Sequence, residues 1–186
     1  SEFRYTGHPL PALQGYDGGK HVIYLGTFSK SIAPSIRISY MVLPKSLLPL
    51  YEERASCFST TVSRVDQRVM EQFIRQGHFE RHLNRMRGIY KEKHDRLVEA
   101  LTKQTIPVRI HGENAGLHIV LETEREQEVK QYREKAREAG IRLYCLSDFF
   151  QDPDDHPVKD CLLLGYATMS ADQVKRAVDE LFSCWL

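Results

Sequence analysis

Residues 22–44 read VIYLGTFSKSIAPSIRISYMVLP, and the fold of the whole chain hangs on this stretch. Val22–Leu25 and Ile38–Leu43 are β-branched and aromatic runs of strand length, the composition that suits a pleated, half-buried surface. The polar, proline-containing stretch Gly26–Arg37 parts them, so Lys30 falls between two strands. The side chains around Lys30 have a shared chemistry. A desolvated lysine amine attacks an aldehyde, the hydroxyls of Thr27 and Ser29 can donate to phosphate oxygens, and Arg37 can grip a phosphate with two parallel N–H bonds. Spacing alone leaves a second reading open, a solvated loop lysine among common loop serines.

Outward from this hairpin the periodicity changes. Residues 1–20 carry Pro9, Pro11, Gly15, Gly18 and Gly19 and read as a loop lead-in. Val62, Val65, Val69 and Phe73 recur at helical spacing up to Gly77, and a second run follows through Phe79, Leu83, Met86, Tyr90, Leu97 and Leu101. At roughly 1.5 Å per residue a helix over 79–104 is longer than one small domain needs, so a domain boundary is expected inside it. Strand and helix then alternate: Val108–His111, Leu117–Leu121, a helix from Glu126 stopped by Gly140, Ile141–Leu146, Cys161–Ala167, and a last helix capped by Ser170 with Asp172 in its first turn. A loop, Gln151–Lys159, holds Asp152, Asp154, Asp155 and two prolines. The expected organisation is an α/β chain with a partial large domain over 1–78, a connecting helix over 79–104 and a small α/β domain over 105–186.

Composition narrows the partners. The 186 residues are 41% hydrophobic and 27% charged, which is ordinary for a globular chain. Twenty-six basic and twenty-five acidic side chains nearly cancel and are interspersed, so no basic stripe marks a nucleic-acid face. Cys57, Cys145, Cys161 and Cys184 form no C-x-x-C pair and read as reduced thiols of a cytoplasmic protein. No apolar run approaches the roughly 20 residues of a membrane span, and the opening SEFRY has no signal-peptide layout. The lack of an initiator Met leads to the expectation that a longer protein has been cut.

The 22–44 stretch resembles the lysine segment of fold-type I aminotransferases, in particular the MocR-type members of the GntR family of bacterial transcriptional regulators, which are similar to the GABA-responsive regulators. The resemblance also covers SEFRY and PALQG at the start, FIRQGHFERHLNRMRGIYKEKHDRL at 73–97, ENAGLHIVLE at 113–122 and LLGYATMS at 163–170. It implies the C-terminal part of a fold-type I, pyridoxal 5'-phosphate-dependent fold. In it Lys30 would hold the cofactor as a Schiff base, and Arg37 and Thr27, with Ser29, would bind its phosphate. Ser29 has a simpler alternative, a hydrogen bond within the turn, and so has Arg37, which opens a strand where it could pair with any exposed carboxylate. A homodimer, an amino-acid or amine effector, and DNA contact only through a winged-helix domain outside this chain are further implications.

Two departures from the family pattern matter. The aspartate that faces the pyridine nitrogen and the aromatic ring that stacks on the cofactor lie upstream of Ser1 in such proteins, so this chain by itself is expected to bind the cofactor poorly. In LYCLSDFF, Asp148 stands where amino-acid-sensing relatives carry an arginine, and Leu163 stands where ordinary aminotransferases tend to have one. Asp148 is therefore a candidate effector residue that would favour a cation; a solvated loop carboxylate is its alternative.

Other groupings carry less. His78 and His82 lie four residues apart on one helical face but lack the H-E-x-x-H order, so a surface pair is expected. His118 in an apolar strand reads as packed or hydrogen-bonded. The stretch Arg81–Arg96, interleaved with Glu80, Glu92 and Asp95, reads as a solvated helix face. Phe149 and Phe150 are expected in the small domain's core. Without its sheet partners, the portion up to about residue 60 is expected to expose apolar strand edges. Two functions fit: the sensor part of a transcription regulator, or part of a true aminotransferase in which Lys30 also moves a proton.

Overall fold

The computed structural model describes residues 3–151 and 159–186, so the acidic residues expected in the 151–159 loop, Asp152, Asp154 and Asp155, lie outside the described residues. Two compact units divide the chain: a lysine unit, His8–Arg85, and a sheet unit made of Phe3–Gly7 with Met86–Leu186.

In the lysine unit, β1 (Tyr24–Thr27) pairs antiparallel with β2 (Ser39–Val42), Tyr24 opposite Val42 and Thr27 opposite Ser39. β1 is as long as the Val22–Leu25 run but lies two residues further along, and β2 is shorter than the Ile38–Leu43 run. The ribbon exposes Leu25, Met41 and Val42, the uncovered apolar strand surface expected of a sheet fragment. Three α-helices lie wholly within this unit. Leu13–Asp17 forms a one-turn helix, α1, ended by Gly18 at φ 65°, and Leu48–Ala55 forms α2. Neither follows from periodicity: α1 is too short to show one, and α2 begins with Leu48-Pro49 and buries no side chain. Proline's fixed φ suits a first helical turn, where the missing N–H has no intrahelical partner. α3 (Arg64–Arg75) starts where Ser63 Oγ accepts from the Val65 amide at 3.2 Å, and it buries only Met70. Gly77, at φ 72°, makes the break before the long helix α4 (His78–Thr102). The division between the units falls inside α4, after Arg85.

The sheet unit follows from period-two burial. β3 (Val108–His111), β4 (His118–Thr123), β5 (Tyr144–Cys145) and β6 (Leu162–Gly165) form an antiparallel sheet in the order β3-β4-β6-β5. Along β4, Ile119, Leu121 and Thr123 are buried while His118 is exposed, so one face is core. Leu162 of β6 joins that core with Leu97 and Leu101 of α4, Val129 and Ala136 of α5 (Glu126–Glu138), and Val174, Val178, Leu181, Phe182 and Trp185 of α6 (Ala171–Trp185). α5 stops at Gly140, φ 79°, and α6 starts from Ser170, whose Oγ accepts from the Gln173 amide at 3.3 Å, both at the positions expected. Only two residues of the expected strand 141–146 are strand. Leu146–Phe149 winds into a 3-10 turn because Asp148 Oδ2 accepts the Cys145 amide at 2.9 Å and closes the chain on itself.

Residues 3–6, expected as loop, dock on the sheet unit. Phe3 is 3% exposed and meets Tyr90 edge-on at 4.9 Å. The Gly116 amide donates to Phe3 O at 2.8 Å and the Tyr5 amide to Asn114 O at 2.9 Å. Both Tyr5 and Tyr166 donate their hydroxyls to Gly116 O at 2.7 Å. Burial raises the Tyr166 hydroxyl pKa far above the tyrosine range, with Tyr5's hydrogen bond acting in the same direction. Replacing Phe3 with Ala is expected to destabilise the sheet unit by about 3 kcal/mol. Urea unfolding followed through the single tryptophan, Trp185, reads this directly; an unchanged midpoint would mean the segment does not dock.

Candidate cofactor site

The turn that carries Lys30 is built from its own sequence. The ladder of β1 and β2 continues one step with the Phe28 amide on Ile38 O at 3.0 Å. Phe28 O then accepts from the amides of Ser31 (3.2 Å) and Ile32 (2.9 Å), which reverses the chain directly after Lys30. Phe28 is held by aromatic packing on Tyr40 at 5.2 Å and Phe79 at 5.8 Å. Tyr40 lies across Gly26 so closely that a Cβ there would overlap Tyr40 Cζ and Oη. A side chain at position 26 would have to push the Tyr40 ring out of this place.

Hydroxyls and Arg37 make a second net across the same turn. Thr27 Oγ1 donates to Ile38 O at 3.3 Å and accepts from the Ser29 amide at 3.3 Å. Ser29 Oγ donates to Ile36 O and accepts from Arg37 Nη1 at 3.3 Å; the same nitrogen reaches Pro34 O at 3.5 Å. Ser29 thus uses its one proton on the backbone and serves Arg37 as an acceptor, which matches its simpler alternative. Arg37 is exposed, and among the described residues no carboxylate pairs with it. Its Nε and Nη2 keep their protons for an incoming anion. It lines a cleft of about 370 Å³ with Ser35, Ser63 and the carboxyl of Asp66. Lys30 is exposed, with no hydrogen bond or ion pair among the described residues.

The remaining candidates from the sequence each have their own surroundings. Asp148, in the sheet unit, already has a cation: its Oδ1 accepts from Arg133 Nη1 at 2.8 Å while Oδ2 holds the Cys145 amide. Leu163 pairs with Val120 and Tyr144 across the sheet. Phe149 is 66% exposed and so does not enter the core as expected, because the 3-10 turn swings it outward. His118 is exposed, its ring against Gly165. His78 stacks on Phe73 and bonds Arg81 at 2.8 Å, with His82 on the same ring. On the expected solvated face, Lys91 pairs with Asp95 at 2.5 Å. All four cysteines are free, and burial pushes the Cys145 thiol up. No helix among the described residues is long and apolar enough to cross a membrane.

Tyr40 is the site residue that sequence reading missed. The available signal was a glycine in a strand facing an aromatic partner, a pairing that marks close approach.

The antiparallel sheet unit, the long helix and a lysine hairpin with a nearby free arginine define the C-terminal portion of a fold-type I aminotransferase-like α/β fold. The chain belongs to the aminotransferase class I and II family, whose model matches residues 2–181. It is 41% identical over 99% of its length to the HTH-type transcriptional regulator YdeL of Bacillus subtilis, covering 39% of that protein. It is 32% identical over its whole length to the probable rhizopine catabolism regulatory protein MocR of Rhizobium meliloti, covering 37% of it. Among solved structures, kynurenine aminotransferase of Pyrococcus horikoshii, in complex with PMP, matches with a TM-score of 0.83 at 27% identity, over 99% of this chain and 45% of that one. The chain thus spans about two fifths of these relatives.

Gly26→Ala is expected to cost about 1–3 kcal/mol through overpacking against Tyr40. In a double-mutant cycle Tyr40→Ala should absorb most of that cost. Additive losses in thermal melts would show that the ring does not set the requirement.

Proposed function

We propose that this chain is the cofactor-lysine and small-domain part of a pyridoxal 5'-phosphate-dependent, MocR-type transcription regulator. The observation that carries the reading is the Lys30 turn, an amine without a partner beside an arginine without a carboxylate, in a chain similar along nearly its whole length to helix-turn-helix regulators.

Pyridoxal 5'-phosphate, when bound, supplies an aldehyde that captures amines. The residues present suit it. Lys30 Nζ would hold the group covalently once deprotonated, since only the neutral amine has a lone pair to give. Arg37 would hold the phosphate through Nε and Nη2, the pair its present contacts leave open, as a bidentate charge-assisted clamp. Thr27 Oγ1 and Ser29 Oγ fix the backbone on either side of Phe28, and Ser29 orients the guanidinium. An amino-acid or amine effector would bring a second amine to the place that Lys30 Nζ serves. Binding energy that differs between two shapes of the protein is what a regulator needs. Asp148 would meet a cationic effector only by giving up Arg133.

Homodimer formation, a cytoplasmic setting and DNA contact through a separate winged-helix domain belong to the same proposal; the likeness to HTH-type regulators supports the DNA contact. The uncovered apolar ribbon of Leu25, Met41 and Val42 supports further protein packing on β1 and β2. A second reading, an active aminotransferase in which Lys30 Nζ would also take up and return a proton as general base, draws on the likeness to the kynurenine aminotransferase.

In the full-length protein, Lys30→Ala should abolish covalent cofactor attachment, read by borohydride reduction and peptide mass spectrometry. Arg37→Ala should weaken cofactor affinity by roughly tenfold or more while leaving Lys30 reactive. Amino-acid-dependent DNA binding without turnover supports the regulator; rapid Lys30-dependent transamination supports the enzyme. Cofactor attached elsewhere than Lys30 would end both readings.

A further inference from the structure

We propose that the sheet unit carries a second site, independent of Lys30, for a hydrophobic monocarboxylate whose carboxylate is received by Arg142. The site arises from a mismatch in strand length. β5 is two residues long and pairs only with Leu162 and Leu163, so Leu164 and Gly165 of β6, paired with β4 on one side, run on past β5 without a strand neighbour on the other. The chain at 141–143 follows that edge without joining the ladder. Between it and α6 a cavity of about 400 Å³ opens, walled by Leu143, Leu164, Met169 and Val178. Its size is that of a small-molecule pocket, and its lining is the apolar one such pockets have. Among the described residues no acidic side chain lines it.

Besides the exposed His118, whose ring lies against Gly165, the polar lining is at the rim. The Arg142 guanidinium stacks on the exposed Tyr144 ring, 4.9 Å from its centre, and no carboxylate among the described residues pairs with it. Its neighbours in the adjoining groove differ: Arg133 is paired with Asp148 and Arg137 with Glu134. Arg142 is thus the open cation of three, and a guanidinium over a ring can still present its N–H edge to a planar anion. An apolar cavity with one guanidinium at its mouth selects a compact hydrophobic body bearing a single carboxylate. A cationic amine is repelled by Arg142 there, and a small polar anion leaves the cavity wet.

The test uses this chain, isotopically labelled, titrated with 3-phenylpropionate, its neutral amide 3-phenylpropionamide, and acetate, with amide chemical shifts as the readout. The expected result is saturable shifts at Leu143, Gly165 and Val178 with the acid, roughly tenfold weaker binding of the neutral amide, and none with acetate. Arg142→Gln should bring the acid down to the neutral compound's affinity. Ala177→Trp, which fills the cavity, should remove binding of both while circular dichroism stays native. Lys30→Ala should change nothing, so failure here is distinguishable from failure of the cofactor reading. Equal affinity for acid and neutral amide, an effect confined to the Arg37 turn, or no saturable shift would each overturn the proposal.

Discussion

The covering of one sheet face places nearly everything in the sheet unit. Ile119, Leu121 and Leu162 are fully excluded from solvent, each contributing about 1.5–3 kcal/mol by leaving water. α4 crosses beneath with Leu97 and Leu101, and α5 and α6 complete the cover. Because side chains alternate along a strand, burying these three sends His118, Val120 and Leu163 to the opposite face. The outer face is therefore a consequence of the core, not a separate choice.

The same economy governs the lysine hairpin. A turn with a lysine near its apex has no reason in itself to be rigid, and exposed loop lysines are commonly mobile. Here Phe28 O receives two amides, Tyr40 packs Phe28 in place, and Gly26 makes room for Tyr40. The charged groups are then held by backbone contacts rather than by each other: no carboxylate pairs with Arg37 and Lys30 has no partner among the described residues. Leaving two cations open at adjacent points costs little in water and keeps both for an anionic ligand. Asp148 shows the contrast. That carboxylate is consumed in closing a turn and neutralising Arg133, so a residue that looks available in the sequence is structurally occupied.

Short β5 links the two properties of the small sheet. Asp148 caps the Leu146–Phe149 turn, which ends β5 after Cys145 and swings Phe149 into solvent; at the opposite end of β5 the chain at 141–143 stays out of the ladder, and β6 has no partner on that edge beyond Leu163. The cavity beside Arg142 is the space that a full-length strand would have closed.

Much was legible from the linear order of residues alone. Period-two burial in β4, helical spacing in α3 and α4, the stops at Gly77 and Gly140 and the cap at Ser170 are local physics, decided within a few residues of each position. The lysine between two strands, with Thr27, Ser29 and Arg37 around it, was equally readable because all four lie within eleven consecutive residues. What only the tertiary structure decided involves partners far apart in sequence. Phe3 and Tyr5 dock beside Gly116, and Tyr166 donates to the same carbonyl. Asp148 is claimed by Arg133, and β5 stops short against β6. A sequence states which groups are present and their local spacing; which of them are satisfied by each other, and which remain free for a ligand, is settled when packing brings distant segments to hydrogen-bonding distance.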